Sequence, residues 1–318
     1  MLKSKTPLLR ILAGFAVLIA SAAMVLNWRQ LAFSALNFVN EPYEPGFYEK
    51  NFELESGVIY RKDSETGQRY SVMRHFGDGF ENVTTINDLI GVERGWTNFT
   101  LQSPEAPTVA DYTKLAHQIL IGEGDFLDNR VEPSTEQAHS GQQSLRTLAV
   151  APEHNTICKA SLHSTLLYFV KGDHVWFSAW YYFEKVGEFN TLMDLESTFV
   201  RNHPGMRIRL NQGYLDIELA KWVPNPMYRQ PKENRIPFPL GQWVHLEAHF
   251  LLSDLENGIV QLWQDDELII DVRGKTLPFA AAVYDDLEIG LSSHSFGPDA
   301  AILYVDDLII STERIQDS

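Results

Sequence analysis

Residues 241 to 311 read GQWVHLEAHFLLSDLENGIVQLWQDDELIIDVRGKTLPFAAAVYDDLEIGLSSHSFGPDAAILYVDDLIIS, and this stretch decides the fold class. Val244, Leu246, Ala248, Phe250 and Leu252 recur at every second position, the period of a half-buried strand. Ser253, Asp254, Asn257 and Gly258 then supply a turn. Two short strands, 259 to 263 and 268 to 272, flank the polar Gln264-Asp265-Asp266-Glu267 connection and read as a β-hairpin. A last strand, 302 to 310, carries Asp306 and Asp307. Short strands joined by polar turns, with little helix between them, predict an antiparallel all-β sandwich. Val244, Leu246 and Phe250 are expected in its core, together with Trp243 and Trp263.

Upstream, strands are expected at 157–162, 175–183, 192–199, 206–210 and 214–219, with shorter pieces at 57–61 and 70–74. The strand at 175–183 is dense in rings (Trp176, Phe177, Trp180, Tyr181, Tyr182, Phe183), so one face belongs to the core and the other still carries aromatics. The period changes between Thr108 and Leu120, where Val109, Tyr112, Leu115, Ala116, Ile119 and Leu120 fall at helical spacing. Thr108 and Asp111 make a capping pair and Gly122 a stop, which predicts one short amphipathic helix.

Polar side chains at i, i+2 spacing share a strand face. Asp194 with Glu196, Arg207 with Arg209, and Asp216 with Glu218 meet this condition on three successive strands, with Lys221, Tyr228 and Arg229 following. Carboxylates opposite arginines suit a saccharide, because acids accept from hydroxyls and guanidinium groups grip carboxylates or ring oxygens. Arg207, Arg209, Lys221 and the ring of Tyr181 are the expected substrate-binding set. Asp194, Glu196, Glu218 and Tyr228 are the candidate catalytic groups, since paired carboxylates also suit glycoside hydrolysis. A solvated face laced with cross-strand ion pairs is the alternative reading. His245 and His249 lie too far apart along one strand to share a zinc ion.

Composition bounds the partners. Residues 1 to 30 hold Lys3, Lys5, Arg10 and Arg29 and no acid, so the rest carries 26 − 4 = 22 basic against 42 acidic residues, a net of −20. Such a body repels nucleic acid. Cys158 is the only cysteine, so no intramolecular disulfide forms, and a buried thiol is expected. Ile11 to Leu26 is an uninterrupted apolar and small-residue run after a basic start, with Trp28 at an interfacial position. It reads as a transmembrane anchor that keeps the N-terminus inside and exports the body. Cleavage as a signal peptide near Ser21-Ala22-Ala23 is the alternative. The expected organisation is an anchor or signal over 1–29, a connector over 30–46, an extension over 47–121 and the main domain over 122–312.

The main domain resembles the heparin lyase I-like and glucuronan lyase-like polysaccharide lyases. Gly241 and Trp243, Ser253 with Asn257-Gly258, Trp263 with Asp265-Asp266, and Tyr304 with Asp306-Asp307 follow that family's pattern, as does the early hairpin His139-Ser140-Gly141 with Ser144-Leu145-Arg146. The resemblance implies a concanavalin A-like jelly roll of two antiparallel sheets, with the charged face concave and a polysaccharide as partner. Three positions depart from the lyase pattern. Glu196 stands where the family has histidine, Glu288 where it has lysine and Ser292 where it has tyrosine. The implied activity is thus carbohydrate binding, with an active lyase or hydrolase, or a structural domain with a covered groove, as alternatives. Neither binding nor elimination requires a cofactor. A structural calcium ion is expected at Asp306 or Asp307, with Glu81 or Asp125 assisting.

Overall fold

The structure is a computed structural model describing residues 50–62, 66–153 and 157–315. The expected membrane segment, 1–29, and the connector, 30–46, lie outside the described residues. Among the described residues no helix is long and apolar enough to cross a membrane.

Alternation of apolar and polar residues, interrupted at bulges, builds two antiparallel sheets. The chain enters through β1 (Phe52–Glu55), β2 (Val58–Lys62) and β3 (Arg69–Ser71), a small sheet of their own, followed by β4 (His75–Asp78) and β5 (Asn98–Thr100). Next come β6 (Arg130–Ser134), β7 (Ser144–Ala149), β8 (Cys158–Ser164), β9 (His174–Lys185), β10 (Phe189–Glu196), β11 (Gly205–Asn211), β12 (Tyr214–Ala220) and β13 (Met227–Arg229). The stretch quoted above supplies β14 (Trp243–Leu251), β15 (Gly258–Gln264), β16 (Glu267–Gly274), β17 (Asp286–Ser295) and β18 (Ala301–Ser311). One sheet runs β13-β12-β11-β10-β17-β8-β5 and the other β16-β15-β14-β9-β18-β7-β6. β4 pairs with the second half of β18, along the edge whose first half pairs with β7. Residues of the 47–121 stretch therefore enter both sheets through β4 and β5.

Two α-helices, α1 (Ile86–Leu89) and α2 (Val109–Leu120), and a 3₁₀ turn at Lys232–Asn234 complete the described residues. α2 is the helix expected from the sequence. Thr108 Oγ1 accepts from the Asp111 amide at 3.3 Å and the Asp111 carboxylate accepts from the Thr108 amide at 3.1 Å. Leu115, Ala116 and Ile119 are buried, while Val109, at the start of the expected stripe, points to solvent.

The inward residues of both sheets meet in one core, with Phe177, Phe183, Phe250, Leu195, Ile208 and Ile289 fully buried. Val244, Leu246, Ala248 and Phe250 face inward as their alternation predicts. Trp243 and Trp263 do not. They have the opposite parity and lie half-buried on the outer face, where Trp263 stacks near Trp176 at 6.2 Å and Trp243 sits 5.7 Å from Tyr182. Tyr181 is also placed differently from the expectation. It alternates inward with Val175, Phe177, Ala179 and Phe183 on β9, is fully buried in the core, and belongs to the sheet opposite the charged face. The Cys158 thiol is buried and pushed up to about 11 by that burial.

Phe250→Ala removes a ring from the packed centre of this core and should cost about 3–5 kcal/mol of stability. Denaturant unfolding checks this, and a loss under about 1 kcal/mol would contradict the assigned facing of β14.

Candidate functional site

Register concentrates charge on the outer face of the seven-stranded sheet. Pairing sets Glu218 beside Arg207, Arg207 beside Asp194, Asp194 beside Glu288 and Glu288 beside His163 in one continuous cross-strand row. Asp216 and Arg209 form a second pair one step along β11 and β12, and Glu196 pairs across to Asp286. The core-facing partners are apolar throughout: Met206, Ile208 and Leu210 on β11, Leu215, Ile217 and Leu219 on β12, and Leu287, Ile289 and Leu291 on β17.

Each carboxylate on this face has a cationic or hydroxyl donor. Arg207 Nε donates to Asp194 Oδ1 at 2.5 Å, its Nη2 to Glu196 Oε1 at 3.3 Å and its Nη1 to Glu218 Oε1 at 3.4 Å. Arg209 donates to Asp216 at 2.7 Å and to Glu218 at 2.5 Å. Lys221 Nζ reaches Glu196 at 2.5 Å and Lys159 Nζ lies 3.6 Å from Glu288. Ser161 Oγ donates to Glu288 and Ser292 Oγ to Asp194. His163 stands between Asp286 at 3.3 Å and Glu288 at 3.5 Å, with Thr100 Oγ1 3.0 Å from its Nε2.

This network sets the protonation states. Burial alone would raise Glu288 and Glu196. Lys159 and His163 outweigh it at Glu288, which is held well below its ordinary value, and Lys221 with Arg207 hold Glu196 lowered. Burial likewise opposes the charge on His163, but Glu288 and Asp286 raise it to about 10, so the imidazole is a cation at neutral pH. Lys159 is raised by Glu288 and Glu196 against its own burial. Asp194 is the exception. Its complete burial, reinforced by Glu196 and Glu288, exceeds the pull of Arg207 and raises it to about 6. Asp194 and Glu288 are like charges directly opposite on adjacent strands, which is the unfavourable pairing in the row.

The face has two borders. α2 brings Tyr112 to one side, within electrostatic reach of Lys159 and Glu288. On the other, the loop between β10 and β11 carries His203 towards Glu196, Lys221 and Asp286. Burial lowers His203, so its imidazole is neutral, and its backbone holds φ at +50°, a left-handed conformation rare for residues other than glycine. No sequence pattern singles out His203, because it sits on a loop. The same loop is tied down by Asp285, whose carboxylate accepts from the Thr198 amide at 2.8 Å and from Arg61 of β2 at 2.8 Å.

Of the residues expected from the sequence, Asp194, Glu196, Arg207, Arg209, Glu218 and Lys221 come together on this face. Tyr181 is in the core, as described. Tyr228 has the parity of Ile217, its neighbour on β12, and its hydroxyl donates to the Lys275 carbonyl at 2.6 Å, away from the charged row. The three positions of departure from the lyase pattern converge. Asp194, Glu196 and Glu288 present oxygens within 4.8 Å of one another, and Ser292 bonds to Asp194. Arg207, Lys159 and Lys221 already neutralise that carboxylate group, which leaves no charge for a divalent ion to balance.

Asp306 and Asp307, the expected calcium ligands, hold a turn against the early hairpin. Asp306 Oδ2 accepts from the His139 and Ser140 amides at 2.8 and 3.2 Å and its Oδ1 from the Asp307 amide at 2.8 Å. Asp307 bonds to Ser140 Oγ and His139 Nδ1, each at 2.7 Å. Glu81 accepts from the Gln142 and Gln143 amides, and Asp125 from the Phe126 amide. These contacts cap the turns that the carboxylates sit in.

Comparison with known proteins agrees with this architecture. A model of the family described as polysaccharide lyase matches residues 91–306, more than half of the chain. The chain belongs to the polysaccharide lyase family. The structure also resembles the endo-β-1,4-glucuronan lyase of the fungus Trichoderma reesei at 8% identity, covering 69% of this chain and 96% of that one with a TM-score of 0.50. The cellulose induced protein Cip1 aligns at 15% identity over 76% of this chain and 100% of its own, with a TM-score of 0.51. At such identities the likeness shows the jelly-roll fold. Among curated proteins no sequence matches.

Asp285 gives a pH prediction. Burial raises its carboxyl from 3.8 to about 7 despite Arg61 and Thr198. The folded protein keeps this proton between those limits while the unfolded chain releases it, so the group's contribution to stability is lost as pH rises from about 4 to about 7. Asp285→Asn should flatten that decline in denaturant titrations across the window. An unchanged slope would show that Asp285 titrates normally.

Proposed function

We propose that this protein holds a glycan on the outer face of the seven-stranded sheet without cleaving it by elimination. The layering of charge carries this reading. The carboxylates form the floor, with Asp194 fully buried and Glu196, Glu218 and Glu288 nearly so, while the Lys221 side chain is 32% exposed. Arg229, at the β13 edge of the same face and 4.0 Å from Asp216, is 58% exposed. A ligand therefore meets donors, and the hydroxyl, ring and carboxylate oxygens of a sugar are acceptors.

β-Elimination needs a base free to take the C5 proton. On the sheet itself that base is missing. His163 and Lys159 are held protonated by their neighbours, and Glu196 and Glu288 are stabilised as paired anions. Hydrolysis through Asp194, Glu196 or Glu218 meets the same obstacle, because those oxygens are committed to arginine and lysine. His203 supports a second reading. Its neutral imidazole is a base of the right kind at the border of the face, and would make the protein an active lyase.

Arg207→Ala is a poor probe, since it leaves the buried Asp194 without a cation and takes one of two from Glu196 and Glu218, at a cost of roughly 3–5 kcal/mol. Lys221→Gln combined with Arg229→Gln is better, because both side chains are the more exposed ones. Full-length protein should bind uronate-containing polymers saturably, the double variant should bind about tenfold more weakly, and no absorbance of an unsaturated uronate should develop. An absorbance rise that disappears in His203→Ala would establish the lyase reading instead.

The same proposal places the body outside the cell or in the periplasm, held by the apolar run at 11–26. Full-length protein should fractionate with membranes and resist carbonate extraction. A soluble form starting near Met24 would mean that the segment is cleaved.

A further inference from the structure

The opposite face of the molecule carries a second site. A cleft of about 1190 Å³ opens between β4, residues 93–95, the tip of the β15–β16 hairpin and the outer surface of β9 and β14. Its shape is set by backbone. A Cβ on Gly95, at φ +89°, would lie 2.5 Å from the Phe76 ring, and one on Gly77 would lie 2.8 Å from the Leu308 carbonyl oxygen. Its back wall is a ring stack. Trp180 has β18 on one side and β14 on the other, so His139, 3.6 Å away and bonded to Asp307 of β18, and His245 of β14, 4.9 Å away, cover its two faces.

Asp78, Glu93, Asp265, Asp266 and Asp307 line it against Arg94 alone. Asp78 is engaged with the Phe80 amide and the Trp96 indole N–H, and Asp307 with the 139–140 turn. Asp266 and Glu93 are exposed and come from different segments, the hairpin tip and the loop before β5. The excess of carboxylate selects a cation and disfavours a uronate. Charge alone would admit any amine, but the lining also offers the N–H donors of the Arg94 guanidinium, which a simple polyamine has no acceptors to meet. A chain of sugars bearing amines supplies ammonium groups and hydroxyls that both donate and accept. We propose that this cleft binds an oligosaccharide carrying protonated amines, a glucosamine-type chain.

The test is a calorimetric titration of the full-length protein at low salt with a short glucosamine oligomer, its fully N-acetylated counterpart and an oligolysine peptide. The glucosamine oligomer should bind, and the other two should bind at least about tenfold more weakly. Asp266→Asn with Glu93→Gln should lose about tenfold for the glucosamine oligomer, and added salt should weaken the wild-type interaction. Asparagine is tolerated at the φ of +67° that residue 266 holds. The Lys221→Gln, Arg229→Gln variant should bind the glucosamine oligomer as the wild type does, which separates this cleft from the other face. No binding, equal binding of the acetylated chain, equal binding of oligolysine, or full affinity in the Asp266, Glu93 variant would each overturn the proposal.

Discussion

Burying charge on a sheet face is the constraint around which this molecule is arranged. Each anion removed from water costs several kcal/mol unless a cation and further hydrogen bonds replace its hydration. Strand alternation places Asp194, Glu196, Asp216, Glu218, Asp286 and Glu288 on one face, and the cross-strand register delivers Arg207, Arg209, His163 and Lys159 between them. Lys221 then has to be brought in from the turn after β12, at φ +55°, to complete the pairing of Glu196. The unfavourable adjacency of Asp194 and Glu288 is absorbed by raising the former and depressing the latter. A site built this way has a rigid, satisfied floor, and its chemistry resides in whatever rises above that floor.

The two outer faces consequently differ in character although one fold makes both. On the seven-stranded sheet the acids are sealed beneath donors, so an incoming molecule is met by cations. On the other sheet, rings fill the outward positions of β9 and β14, and the exposed charge comes from loops and a hairpin tip, where it is mostly negative. A net acidic chain thus presents surfaces of opposite preference.

Period-two alternation made the strands legible, because an apolar residue at every second position admits one pairing face. It also assigned the shared face of Asp194, Glu196, Arg207, Arg209 and Glu218 correctly, since β10, β11 and β12 are consecutive neighbours. Alternation says which residues share a face and is silent on which face is the core. Trp243, Trp263 and Tyr181 were misplaced for that reason: ring size suggests burial or display equally well, and only the partner sheet decides. β17 and β8 join the charged sheet from distant parts of the chain, so His163, Lys159 and Asp286 could not be matched to Asp194 from local spacing. His203 left no trace at all, because its position depends on a strained loop held down through Asp285.

The sharing of Glu196 by Arg207 and Lys221 constrains how this face can evolve. A histidine at that position, as the lyase pattern has it, would set a basic ring against two cations that had just lost their common anion. Lysine at 288 would remove the anion that Lys159 faces and leave His163 with Asp286 alone. Single substitutions in either direction pass through a folded state with an uncompensated buried charge, which selection removes before any gain in activity is visible. Replacements on this face are therefore coupled through shared counter-ions, and the pairing that stabilises the sheet also limits which single substitutions it tolerates.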